Sequence, residues 1–192
     1  MTPTIQLEVF PHDWSVEVLK APPLIAPSRQ YTYPMAIAGE EDALARGALY
    51  LLVRAAAGQA AFLATCALGY RDPSMPTGVY ATPDPALLCA VAGGYAYLID
   101  AANPTQSTHI DQRPVTAVMA TEGLLLFAGF HTIQAWGRGG LVWTTKRLSW
   151  DGMQLGEVRD GVLHGTGWNM RTDKDAPFEV DLATGEHTGG GF

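Results

Sequence analysis

The chain has 192 residues, 47% hydrophobic and 16% charged, a balance that belongs to a folded globular protein and not to a disordered one. Its net charge of −7 is spread over both halves with no basic stripe to neutralise a phosphate backbone, so nucleic-acid binding is not expected. No apolar run approaches the roughly 18 residues of a membrane span, and no basic-then-apolar leader opens the chain, so a cytoplasmic protein with no membrane contact is expected.

With 21 glycines and 13 prolines, turns are frequent, which favours many short strands over a few long helices. Residues 4–10 alternate Ile5, Leu7 and Val9 with polar neighbours, the period-2 signature of a half-buried strand. Residues 14–19 would pair with it across the corner at 11–13. Pro22, Pro23 and Pro27 then make residues 21–28 an extended connector that cannot sit in a central strand. Residues 31–35 read as another short strand. The one helix candidate is 39–47, with Glu40, Glu41 and Asp42 at its positive end, Arg46 at the other and Gly47 as its stop. Residues 48–57 and 60–68 read as an apolar hairpin about Gly58 and Gln59. Cys66 and Cys89 lie in apolar runs and read as buried free thiols.

From Val79 onward the pattern repeats. Units beginning at Val79, Val118 and Glu157 each contain a strand, a short polar turn, a strand, a third strand ending in a turn, and a fourth segment. The turns after the third strands fall at Asp100, Gly137 and Asp181, 37 and 44 residues apart. Residues 124–148 show the pattern best, with strands at 124–129, 132–136 and 141–147 and a glycine turn at 137–140 that supplies φ > 0. A period near 40 with four short strands suits a propeller blade. The expected fold is therefore a single all-β domain over 1–192. Residues 1–76 would supply N-terminal strands and a hairpin, and 77–192 three four-stranded antiparallel propeller-like units forming an incomplete or open propeller. A two-sheet β-sandwich is the alternative, and the two are separated by whether Val79, Val118 and Glu157 begin equivalent strands.

Phe178 to Glu186, with Asp181 closing a strand and Thr184-Gly185 in the turn, resembles the strand-turn segment of quinoprotein-type β-propeller repeats. Residues 97–103 carry a degenerate version. Residues 133–143 carry another, with Trp143 where such blades often hold a tryptophan. The resemblance spans 77–192 and implies a fold but no activity. Trp150-Asp151 matches a WD dipeptide, but Gly152 follows and the trio reads as a turn.

Candidate chemistry is sparse. His109 and Asp111, two apart on a predicted strand, would share one face, and His164 sits among Gly165, Thr166 and Gly167. These three are the catalytic candidates. No histidine pair has a metal-binding spacing and no cysteine pair forms CxxC, so neither a metal nor another cofactor is expected. No nucleophile motif is present, and the glycine runs lack the context of a phosphate loop. Asp173 and Asp175 lie in what reads as an insertion of the last unit, where repeat proteins gather binding loops. With Trp136 and Trp168 they are the binding candidates, since interface anchors favour tryptophan. Two functions compete. One is a non-enzymatic protein-interaction or inhibitory module with a protein partner, also able to self-associate as a homodimer through sheet edges. The other is a small hydrolase or lyase using histidine and carboxylate side chains in a groove between sheets.

Overall fold

The computed structural model describes residues 2–35, 43–55 and 59–191. They form an all-β structure in which roughly half lie in strands, and their only helical segment is a 3-10 turn at Ala43–Arg46. Residues 39–42 of the expected helix and Gly58 of the expected hairpin turn lie outside the described residues. The chain divides into two compact units, Met1–Arg113 and Pro114–Phe192. Among the described residues there are four sheets, none of which closes on itself.

The first unit contains β1 (Thr4–Gln6), β2 (Ser15–Leu19), β3 (Arg29–Tyr33), β4 (Ala48–Arg54), β5 (Phe62–Ala67), β6 (Gly78–Ala81), β7 (Leu87–Ala92), β8 (Tyr95–Asp100) and β9 (Ser107–His109). One sheet runs β2-β4-β5-β3, with the β4/β5 hairpin at its centre and β3 parallel to β5. The other runs β1-β6-β7-β8-β9, an antiparallel meander with β1 added in parallel beside β6. The expected pairing of β1 with β2 does not occur. β1 is only three residues long and all three are exposed, so its alternation never meets a core. β2 instead pairs with β4, where Leu51 and Val53 are fully buried. The connector between β2 and β3 crosses from one edge of their sheet to the other. Cys66 and Cys89 are free, fully buried thiols, and burial pushes both well above the ordinary cysteine range.

The second unit holds two four-stranded antiparallel meanders. One is β10 (Ala117–Thr121), β11 (Leu124–Ala128), β12 (Ile133–Gly137) and β13 (Gly140–Thr144). The other is β14 (Met153–Arg159), β15 (Val162–Asn169), β16 (Lys174–Asp181) and β17 (His187–Gly189). The first hairpin of each turns on two residues with positive φ, Glu122-Gly123 and Asp160-Gly161, the geometry that matches strand twist. One core joins both sheets: Leu126, Ile133 and Trp143 pack with Leu163, Phe178 and Val180. Removing so many aliphatic and aromatic groups from water is the main stabilising term of this unit.

The three expected third-strand ends are met: β8 stops at Asp100, β12 at Gly137 and β16 at Asp181. Val79 and Val118 sit at the second positions of β6 and β10. Glu157, by contrast, lies late in β14, which begins at Met153. A bulge between Leu155 and Val158 breaks the period-2 alternation there, so the strand is longer than its pattern suggests.

Candidate functional site

His109 sits in an aromatic ladder of the first unit. Tyr95 and Tyr97 alternate along β8 and so project from one face, and β9 places His109 directly opposite Tyr97. The imidazole centroid is 4.8 Å from both rings, stacked on Tyr97 and tilted against Tyr95. Tyr97 in turn lies 6.2 Å from the buried Tyr33. The two hydroxyls donate to backbone carbonyls, Tyr97 to Ala67 at 2.9 Å and Tyr33 to Pro104 at 2.7 Å. Burial, with the nearby Cys66, holds the Tyr33 phenol well above its ordinary range. At the other end the Arg46 guanidinium lies 5.7 Å from the Tyr95 centroid while its Nε donates to the Leu68 carbonyl at 2.9 Å. Arg71 completes the corner, its Nε donating to the Arg46 carbonyl at 3.1 Å and its Nη2 to that of Ala45.

Both ring nitrogens of His109 are shielded from solvent. An imidazole so enclosed suits packing better than proton exchange with a diffusing substrate, which needs a reachable nitrogen. Asp111 does not join it. β9 stops at His109, Ile110 is fully buried with its N–H donating to Ala96, and the Asp111 side chain is 87% exposed, 2.8 Å from Arg113 Nη2.

His164 belongs to the second unit. It lies on β15 opposite Glu179 of β16, with Nδ1 3.5 Å from Glu179 Oε1 and both side chains partly exposed. Such a cross-strand pair at a surface contributes little, on the order of 0–1 kcal/mol. Trp136 is half-buried on β12, its Nε1 donating to Gln134 at 3.2 Å. Trp168, Asp173 and Asp175 do come together: Trp168 faces Asp175 across β15 and β16, and its Nε1 donates to Asp173 Oδ1 at 3.3 Å. The expected insertion is the extended end of this hairpin, with Asp173 at positive φ in its turn. Among the described residues, no three His, Cys, Asp or Glu side chains gather as a metal site would require.

A feature that sequence reasoning passed over lies in the proline connector. Leu24 is fully exposed and Ile25 is 92% exposed, while Pro23, Ala26 and Pro27 are half-buried. The signal was available: two aliphatic residues inside a segment that proline keeps out of the sheets. The sequence matches no protein-family model and none of the curated proteins.

Proposed function

We propose that this protein is a non-enzymatic binding module, of the interaction or inhibitory kind, whose contact with a protein partner is led by the Leu24-Ile25 tip. The observation that carries this reading is the tip itself: two large aliphatic side chains exposed to water in a loop flanked by prolines. Pro22, Pro23 and Pro27 limit the conformations the loop loses on binding, so an apolar pocket on a partner gains the hydrophobic contact at low entropic cost. The catalytic alternative has weaker support, since the His109 nitrogens are enclosed and the carboxylate beside His164, that of Glu179, lies at the surface.

The sheets themselves read as propeller-like blades. Asp100 and Asp181 close equivalent turns: each Oδ1 accepts two backbone N–H groups from the next three residues, at 2.8–2.9 Å. The residue after each donates back to the residue just before the second strand, Ala101 to Ala86 and Leu182 to Gly161. Trp143 of one sheet lies against Gly185 of the next, its Nε1 donating to the Leu182 carbonyl at 2.9 Å. Strands β13 and β17 end their sheets, and the exposed Leu141 and Val142 on β13 favour self-association there. A cytoplasmic setting, where thiols stay reduced, suits the two free cysteines.

The test is capture from the protein's own cell lysate beside sizing chromatography, with wild type and a Leu24→Asp/Ile25→Asp variant of unchanged far-UV circular dichroism. A partner held by wild type and lost by the variant is the expected result. Equal capture by both would remove the tip from the interface. A hydrolytic activity abolished by His164→Ala would favour the enzyme.

A further inference from the structure

The two sheets of the first unit are stitched where residues 69 and 70 meet the β7/β8 turn. Gly69 N donates to the Ala92 carbonyl at 3.0 Å and Tyr70 N to that of Gly93 at 2.9 Å. The approach is close enough that a Cβ on Gly93, at φ +54°, would stand 2.3 Å from the Tyr70 oxygen. Beside this seam lies a cavity of about 550 Å³, inside the ~300–1,000 Å³ range of small-molecule sites. Its walls are aliphatic, with Val18 and Leu49 from β2 and β4 and Ile5 from β1. Two exposed cations, Lys20 and Arg71, stand among its lining residues. The Arg71 guanidinium also donates to the carbonyls of Ala45 and Arg46, beyond the described lining, which limits the side-chain freedom left to be lost. Among the described lining residues the one carboxylate, Asp72, is engaged locally: its Oδ1 accepts from Ser74 N and Oγ, both at 2.8 Å.

We propose that this cavity binds an amphipathic organic acid, its carboxylate between Lys20 and Arg71 and its hydrocarbon body against Ile5, Val18 and Leu49. The aliphatic walls reward any hydrocarbon equally, so the cations set the class, favouring an anionic head over a neutral one. The site is separate from the Leu24-Ile25 tip and stands whether or not the tip has a partner.

The experiment is calorimetric titration of the full chain with decanoate below its micelle concentration, beside decanol, at low and moderate salt. Decanoate is expected to saturate at one per chain, more tightly than decanol, and to weaken as salt rises. Lys20→Glu should lower decanoate affinity about fivefold, as expected for reversing one exposed charge, and leave decanol unchanged. Ile5→Trp, placed on an exposed strand position, should fill the cavity and abolish binding of both while the circular dichroism spectrum is kept. Absence of saturable decanoate binding, decanol binding as tightly as decanoate, or binding indifferent to Ile5→Trp would overturn the proposal.

Discussion

Asp181 shows how much one side chain does at a strand end. Its Oδ1 accepts the Thr184 hydroxyl and the N–H groups of Thr184 and Ala183, all at 2.9 Å, and these donors hold its carboxyl below the usual range. A carboxylate with a lowered folded pKa binds its proton more readily in the unfolded chain. Its contribution is therefore fully present above the unfolded value of about 3.9, and is lost as pH falls through the folded value. Asp181→Asn keeps an acceptor but removes the charge. The variant should be less stable than wild type at pH 7, and the gap in melting temperature should close as pH drops below about 4. A gap that stays constant across the acid range would assign the effect to packing.

At the level of the element, Trp143 and Gly185 couple the two sheets of the second unit. A Cβ on Gly185 would stand 2.7 Å from the Trp143 ring, and the residue sits at φ +74°. Gly185→Ala combines left-handed strain with displacement of the ring, and should cost about 2–3 kcal/mol in denaturant unfolding. Its tryptophan emission should shift to the red as the indole leaves its buried seat, and an unshifted spectrum would show that the turn yields instead. Turns of this kind were legible in the sequence because their chemistry is local: Asp100, Gly137 and Asp181 each announce a strand end. β14 was misjudged because the bulge at 155–158 hides its alternation. The surroundings of His109 were not legible. Tyr95 and Tyr97 are a dozen or more residues away, and Arg46, which reaches the ladder through Tyr95, comes from the other side of the chain's first hairpin. The expected company of Asp111 depended on a strand that ends two residues too soon.

Across the whole molecule the two units differ in how their sheets are assembled. Every pairing in the second unit joins consecutive strands. The first unit needs two parallel pairings between distant segments, Thr4 with Gly78 and Arg29 with Phe62, separated by 74 and 33 residues. Closing such loops costs chain entropy before any contact offsets it, so a non-local topology lowers the folding rate. The aromatic residues happen to separate the two units for an observer. All seven tyrosines lie before residue 114, while Trp136, Trp143, Trp150 and Trp168, four of the five tryptophans, lie after it. On dilution from denaturant, tryptophan emission should recover roughly tenfold or more ahead of the tyrosine signal, and simultaneous recovery would mean the units fold as one. The parallel strand β1 thus sets a clock. It must wait for β6, so a strand that precedes its partner by 74 residues becomes native among the last.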